Sequence, residues 1–197
     1  MSLFLLCIIG YFVGSIPTGF LLTKIYGNVD IRNVGSHSTG ATNVLRSGHK
    51  TLVLLTLLGD ALKGIIFTLV ARIASDDPCF LIAVFCCLIG HVYPVWLGFK
   101  GGKGVATSAG IFVVLAPLFA LISIAIWAIL AKFVKISSIA SIAMAVSFAT
   151  MCTYGFIVNN IEFSTFLFSI AALIFLLFTH RKNIARIINQ NESTVEI

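Results

Sequence analysis

Apolar residues along this chain fall into six runs, each long enough to cross a lipid bilayer as a helix. A bilayer core is about 30 Å thick and needs roughly 20 apolar residues per helical crossing. The runs cover residues 3–22, 52–73, 80–97, 105–131, 136–158 and 163–179. Composition agrees, since 59% of the 197 residues are hydrophobic, 10% are charged and mean hydropathy is +1.08. A soluble domain could not bury so much apolar surface, so the sequence predicts an all-α polytopic membrane protein.

Charged residues between the runs predict the side of the membrane on which each connection lies. Lys and Arg accumulate in cytoplasmic loops. They follow the first, third and sixth runs, at Lys24, Arg32, Arg46, Lys50, Lys100, Lys103, Arg181, Lys182 and Arg186. The turn formed by Ser75, Asp76, Asp77 and Pro78 is acidic and is assigned to the outside. The N-terminus is then outside and the C-terminus cytoplasmic, which requires an odd number of crossings.

The run of residues 105–131 supplies the extra crossing. It is the longest run, contains Pro117, and is followed by the basic residues Lys132 and Lys135. Proline removes a backbone donor and clashes with the preceding helical turn, so the chain is expected to break there into two short helices. We therefore predict seven transmembrane helices in a single membrane-embedded domain, residues 1–197.

Polar residues cluster in three predicted cytoplasmic segments. The first polar segment, residues 30–48, combines Gly, Ser, Thr and Asn with the guanidinium of Arg46. Such a segment can bind phosphate or carbonyl oxygens, and it is equally typical of a turn-rich loop. Composition leaves both interpretations open.

The second polar segment, residues 90–107, resembles a phosphate cradle. Gly101, Gly102 and Gly104 surround Lys103 directly before a predicted helix, whose N-terminus attracts anions. The motif differs from a nucleotide-binding P-loop in two ways. Only three residues separate Gly98 from Gly102, and Gly104 follows Lys103 where Ser or Thr would be needed. A flexible basic loop would explain the lysines but not the glycines.

The third polar segment, residues 180–192, predicts an amphipathic helix on the inner leaflet. Ile184, Ile187 and Ile188 recur at helical spacing among basic residues. His180 and Asn183 stand one turn apart and could point at one site. In the second run, Asp60 and Lys63 are three residues apart, and charges at membrane depth favour a structural ion pair or a polar cavity.

These segments resemble one known family over almost the whole chain. The motifs, in family order, are GSIPTGFLL at Gly14, GATNVLR at Gly40, GDALKG at Gly59, GHVYPVWLGFKGGKGVAT at Gly90 and HRKNIARI at His180. They are similar to those of the bacterial acyl-phosphate:glycerol-3-phosphate acyltransferases. The resemblance implies seven helices in the bacterial cytoplasmic (inner) membrane and an external N-terminus. It also implies an active site on the cytoplasmic face.

The resemblance also assigns roles residue by residue. It implies catalytic roles for Ser36, Arg46, His180 and Asn183, substrate binding for Thr42, Asn43, Gly101, Gly102, Lys103 and Gly104, and a structural role for Glu192. Two places differ from the usual family pattern. His37 and Ser38 stand where the family has Gly and Asn, and Gln190 stands where it has Gly.

The implied reaction joins an acyl group from acyl phosphate to the 1-hydroxyl of glycerol 3-phosphate. Acyl phosphate is an activated anhydride, so the protein mainly gathers two anions and stabilises an oxyanion. We expect no metal or cofactor, no nucleic-acid partner despite the net charge of +6, and a functional link to an enzyme that makes acyl phosphate. The His-x-x-x-x-Asp motif of thioester-using acyltransferases is absent from the sequence.

Two other classes share some of these features. A transporter of phosphorylated solutes could use the same basic, glycine-rich surface, but the runs show no internal repeat and the polar residues crowd one side. An alcohol phosphotransferase would need a carboxylate cluster for divalent metal, which seven scattered acids do not supply.

Overall fold

The structure is a computed structural model that describes residues 1–75 and 77–194, and within them every regular element is helical. The α-helices are α1 (Leu3–Gly14), α2 (Thr18–Tyr26), α3 (Ala41–Arg46), α4 (Lys50–Ala74), α5 (Phe80–Val92), α6 (Val105–Leu115), α7 (Pro117–Val134), α8 (Ser137–Ile157), α9 (Phe163–Thr179) and α10 (Arg181–Ile188). Short 3₁₀ turns cover Ile31–Asn33 and Val95–Leu97. Asp76, in the predicted acidic turn, lies outside the described residues.

Five helical stretches of the described chain are long and apolar enough to cross a membrane. They are Leu3–Tyr26, Lys50–Ala74, Phe80–Leu97, Pro117–Val134 and Ser137–Ile157. Helices α9 and α10 form a sixth candidate if taken as one span, bent by 61°. Helix α6 is apolar but has only 11 residues, which gives a length of about 16 Å.

The break predicted at Pro117 is confirmed. Helix α6 ends at Leu115, Ala116 leaves the helical conformation with φ −148° and ψ 81°, and Pro117 is the first residue of α7, where its missing N–H costs nothing. The prediction that both halves would be short is wrong for α7. This helix continues past residue 131 to Val134 and reaches 18 residues, so only α6 is shorter than a span.

The first apolar run is also broken, which its hydropathy did not predict. Helix α1 ends at Gly14, and α2 begins only at Thr18, after Pro17. Proline cannot donate a helical hydrogen bond, and it disfavours helical backbone at the residue before it. The carbonyl of Ile16 at this break is therefore available to side chains of another helix.

The first compact unit, Met1–Ile111, is held together by close helix contacts through glycine. Gly14 of α1 lies against the backbone of Cys87 in α5, and Gly90 of α5 lies against the carbonyl of Tyr11 in α1. A methyl group at either glycine would overlap that backbone. Small residues allow such approach between helices in lipid, where packing rather than hydrophobicity drives association.

The second compact unit, Phe112–Ile197, packs α8 against α7 and α9. The rings of Phe112 and Phe148 stack with centroids 3.8 Å apart and are both buried. Large apolar side chains cover the outer surface of α7, where Leu118 is 65% and Phe133 is 74% exposed. An apolar exterior of this kind is that of a helix facing lipid.

Candidate active site

Asn43 organises the first polar segment. Its side chain is fully buried in α3, and the two hydrogens of its amide nitrogen are shared among the backbone carbonyls of Ile31 (2.9 Å), Val34 (2.9 Å) and Ser38 (2.8 Å). Its amide oxygen accepts from the backbone N–H of Ser36 at 2.9 Å. One side chain thus links separate parts of this loop and fixes the backbone that presents Ser36.

Ser36 and Arg46 lie together around this scaffold. A Cβ on Gly35 would approach both the Arg46 side chain and the Asn43 amide, so the arginine passes directly over the backbone next to Ser36. The Ser36 hydroxyl lies 3.1 Å from the hydroxyl of Ser38, and no basic side chain of the first unit hydrogen-bonds it within the described residues. Ser36 is therefore placed as a hydrogen-bonding hydroxyl and is not paired with a base inside this unit.

The glycine-rich loop, residues 98–104, sits on the C-terminal end of α5. The backbone N–H groups of Gly101 and Gly102 donate to the carbonyls of Val92 (3.0 Å) and His91 (3.1 Å). The carbonyl of Gly101 accepts from the backbone N–H of Thr39 at 3.4 Å, which joins this loop to the first polar segment. Two motifs that are far apart in the sequence are thereby brought into contact.

The loop then delivers Lys103 and Gly104 to the N-terminus of α6. Gly104 has a left-handed φ of +91°, and its carbonyl accepts the hydrogen bond from Ser108 N that opens the helix. The first N–H groups of a helix have no partner within it and carry a partial positive charge. The structure thus places Lys103 and Gly104 directly before the N-terminus of α6, and phosphate binding there stays a prediction.

A buried polar cluster lies beneath this loop. The ammonium of Lys63 is 2.8 Å from Asp60 Oδ1, which confirms the predicted ion pair. His91 Nδ1 lies 3.5 Å from the same carboxylate oxygen, and Lys63 also donates to the Ile16 carbonyl at 2.9 Å. All three residues of this cluster are buried, with exposed fractions of 8% or less.

His180 occupies the bend between α9 and α10. Its residue is 2% exposed, and its Nδ1 lies 2.8 Å from the carbonyl of Leu176. A carbonyl can only accept, so Nδ1 carries the proton and Nε2 is the acceptor in the neutral ring. Asn183, 5% exposed, follows one turn later in α10.

Glu192 folds back onto α10 and brackets Asn183. Its carboxylate accepts hydrogen bonds from Asn183 Nδ2 (2.5 Å), Ser138 Oγ (3.0 Å) and Arg186 Nε (2.6 Å). Burial acts to raise the pKa of Glu192, but these donated hydrogen bonds outweigh it and hold the pKa below its ordinary value. The implied structural role of Glu192 has a physical basis in this geometry.

A tight turn after α10 makes that contact possible. The N–H of Gln190 donates to the Ile187 carbonyl (3.0 Å), and the N–H of Asn191 donates to the Arg186 carbonyl (2.8 Å). This pairing is a Schellman motif, whose turning residue needs left-handed backbone. Gln190 adopts it with φ +56°, at the position where the resembling family usually has glycine.

Sequence reasoning missed three contributors to these arrangements. No role was assigned to His91 from the sequence, Thr39 contributes only its backbone, and Ser138 lies within an apolar run. The position of His91 inside the motif that leads into the glycine-rich loop was the available signal. The predicted roles of the site residues in substrate binding and catalysis stay predictions.

Comparison with known proteins decides the family. A family model described as glycerol-3-phosphate acyltransferase matches residues 4–190. The chain belongs to this family. A glycerol-3-phosphate acyltransferase of Brucella anthropi is 41% identical over 188 residues, covering 95% of this chain and 90% of the relative. That of Neisseria meningitidis is 38% identical over 192 residues, covering 95% and 94%. A relative in Agrobacterium fabrum is 50% identical over 123 residues, but this alignment spans only 62% of the chain and 60% of the relative.

Solved structures of a glycerol-3-phosphate acyltransferase share this fold. The crystal structure of PlsY (YgiH), an integral membrane glycerol 3-phosphate acyltransferase, in its glycerol 3-phosphate form is 34% identical with a TM-score of 0.88, covering 100% of this chain and 96% of that one. Its lysophosphatidic acid form is 33% identical with a TM-score of 0.85, covering 98% and 95%. The chain is thus an all-helical integral membrane protein of the PlsY type.

Proposed function

We propose that this chain transfers an acyl group from acyl phosphate to the 1-hydroxyl of sn-glycerol 3-phosphate. The products are 1-acyl-sn-glycerol 3-phosphate (lysophosphatidate) and phosphate, which makes this the first acylation of bacterial phospholipid synthesis. The observation that carries the proposal is the glycine-rich loop, where Lys103 precedes the N-terminus of α6 in a membrane protein of this family. Relatives crystallised in glycerol 3-phosphate and lysophosphatidic acid forms support the same substrate and product.

The reaction needs little covalent help from the protein. The 1-hydroxyl oxygen attacks the acyl carbonyl carbon, the bond from that carbon to the phosphate oxygen breaks, and phosphate leaves. The hydroxyl proton passes to a phosphate oxygen of the acyl phosphate, which becomes the leaving group. Catalysis then consists of holding two anions in contact and stabilising charge on the carbonyl oxygen.

The proposed roles follow from the side chains available. Lys103 and the backbone N–H groups at the start of α6 bind the phosphate of glycerol 3-phosphate. Ser36 and Arg46 donate to the acyl phosphate, and Asn43 holds their loop through its contacts with Ile31, Val34 and Ser38. Thr42, Gly101, Gly102 and Gly104 complete the substrate-binding set, with His180 and Asn183 positioning substrate and Glu192 fixing Asn183.

We propose a seven-helix arrangement in the bacterial cytoplasmic membrane, with the N-terminus outside and the active site facing the cytoplasm. It requires α6 and α9 to cross in addition to the five long spans, with α6 in a thinned bilayer or shielded by protein. The single functional domain comprises residues 1–197, and an enzyme that makes acyl phosphate supplies the donor.

One assay tests the donor and the acceptor together. Purified protein receives labelled glycerol 3-phosphate with acyl phosphate, acyl-CoA or acyl-carrier protein in turn, and labelled lysophosphatidate is measured. Only acyl phosphate is expected to support product formation. Equal or faster turnover with acyl-CoA would contradict the proposal, as would the absence of product with every donor.

A further inference from the structure

The buried cluster of Asp60, Lys63 and His91 connects three elements of the first unit to the glycine-rich loop. Asp60 and Lys63 lie in α4, His91 lies in the last turn of α5, and the Ile16 carbonyl that Lys63 contacts lies at the break between α1 and α2. Charged groups at membrane depth are costly and are usually retained for a function. A pair alone would satisfy α4, so the third member of the cluster requires a separate explanation.

The imidazole of His91 lies between the Asp60 carboxylate and the glycine-rich loop. Its Nδ1 faces Asp60 Oδ1 at 3.5 Å, and the atoms around Nε2 lie where a side chain on Gly102 would project. A Cβ on Gly102 would overlap the ring itself. The His91 carbonyl meanwhile accepts the Gly102 N–H at 3.1 Å.

Two groups of His91, its ring and its carbonyl, therefore contact the loop at Gly102. The His91 ring limits how closely the Gly102 backbone can approach α5. The His91 carbonyl fixes the orientation of the Gly102 N–H by accepting its hydrogen bond. The ring in turn cannot rotate away without breaking its contact with Asp60, which Lys63 holds. Rigid support of this kind is what a phosphate-binding backbone needs, because a displacement of about 1 Å weakens several contacts together.

We propose that His91, held by Asp60 and Lys63, is a positioning residue that fixes the glycine-rich loop in the conformation receiving the phosphate of glycerol 3-phosphate. This inference rests on the proposed function for its ligand. It assigns no contact with substrate to the cluster. Its effect is exerted through Gly101 and Gly102.

Steady-state kinetics separate positioning from general damage. Asp60→Asn leaves a similar shape but removes the charge that pairs with Lys63 and weakens the contact with the His91 ring. It should raise the KM for glycerol 3-phosphate about three- to tenfold with kcat within about twofold of wild type. The KM for acyl phosphate should not change. The matched control is Thr68→Val, a buried position of the same helix whose hydroxyl bonds only the Gly64 carbonyl among the described contacts, and it should leave both constants unchanged.

A double-mutant cycle tests the contact itself. Gly102→Ala should raise the KM for glycerol 3-phosphate about tenfold in wild-type protein, because the new methyl group meets the His91 ring. In the His91→Ala background the space is open, so the same methyl should add less than about a twofold increase. Additive effects of the two substitutions would overturn the proposal.

Hydrogen exchange provides a readout that does not require activity. Amides of residues 98–104 in detergent-solubilised Asp60→Asn protein should exchange about tenfold faster than in wild type, while Thr68→Val protein matches wild type. Unchanged exchange in Asp60→Asn would overturn the positioning role even if KM rises. If wild-type protein makes no lysophosphatidate from acyl phosphate, the proposed function fails, and the exchange experiment still decides whether the cluster holds the loop.

Discussion

Two residues at which the sequence resemblance implies glycine have left-handed backbone. His37 has φ +57° and Gln190 has φ +56°. Left-handed backbone costs a residue with a Cβ about 1–2 kcal/mol, although His tolerates it better than most. His37 gains a hydrogen bond from Nδ1 to the Arg32 carbonyl at 2.7 Å, whereas the Gln190 side chain is exposed. The departures from the family pattern therefore change local stability and leave the turns intact.

Gln190→Gly should stabilise the protein. Glycine adopts the left-handed turn without strain, and after its greater unfolded-state entropy is counted we expect a gain of about 0.5–1 kcal/mol. Thermal unfolding in detergent measures it. Asn189→Gly is the control, since Asn189 precedes Gln190 with an ordinary φ of −85° and glycine there should bring no gain. A lower melting temperature for Gln190→Gly would contradict the strain argument.

His180→Gln should retain measurable activity. Glutamine keeps a donor for the Leu176 carbonyl but cannot titrate as imidazole does, and the proposed proton acceptor is the acyl phosphate itself. Turnover at saturating substrates is measured against pH, with His49→Gln as the control for removing an imidazole elsewhere. Complete loss of turnover in a folded variant, together with a wild-type rate that depends on an ionisation near the ordinary His pKa of about 6.5, would make His180 the general base.

Helix boundaries show which elements the sequence could predict. The runs of residues 52–73, 136–158 and 163–179 became single helices within two residues of their predicted bounds. Pro117 marked a break because its effect on the backbone is local. The six-residue α3 could not be predicted from periodicity, because it depends on buried Asn43 contacts made through the folded loop. The position of His91 beneath Gly102 likewise depends on how α5 meets the loop after folding.

The clamp that Glu192 forms on α10 should weaken in acid. Since its folded pKa is below the ordinary value, its contribution to stability is fully present above that ordinary value, about 4.3, and is lost as pH falls through the folded value. Glu192→Gln should cost about 1–3 kcal/mol near neutral pH, because the donors of Arg186 and Asn183 lose a charged acceptor.

Melting temperatures of wild type and variant measured from pH 7 to pH 3 test this expectation. The difference between them should be largest above about pH 5 and should shrink as the wild-type carboxylate is protonated. The exposed acid Glu162 provides the control, and Glu162→Gln should give a small difference at every pH. A Glu192→Gln difference independent of pH would show that the contact does not depend on charge.

Across the whole molecule, the number of crossings depends on whether α6 spans the membrane. Single cysteines are placed in a background from which Cys7, Cys79, Cys86, Cys87 and Cys152 have been removed. Residues 47, 100 and 182 should label with an impermeant reagent from the cytoplasm, and residues 77 and 118 from outside. Residue 118 lies in the first turn of α7, directly after Pro117, where the seven-helix arrangement places the outer membrane surface. Labelling of residue 118 only from the cytoplasm would contradict the seven-helix arrangement.

Hydropathy and charge together predicted the class of the molecule but not every span. The high apolar content predicts a membrane protein, because exposed apolar side chains such as Phe133 are stable in lipid and not in water. The charges of the loops predicted an odd number of crossings, one more than the six runs. The run of residues 105–131 forms two separate helices, α6 and α7. The length of each half could not be read from composition, since α7 ends only where Lys135 turns to left-handed backbone.

The ion pair of α4 also bears on how the chain enters the membrane during synthesis. A lone Asp or Lys at the centre of an inserting helix costs about 2.5–3.5 kcal/mol on the scale of the insertion machinery. Asp60 and Lys63 stand one turn apart on the same helix, so they can neutralise each other before α5 has left the ribosome. His91 then joins a carboxylate that already has a partner. The helix can thus be released into lipid early, carrying in paired form the charges that the finished protein uses elsewhere.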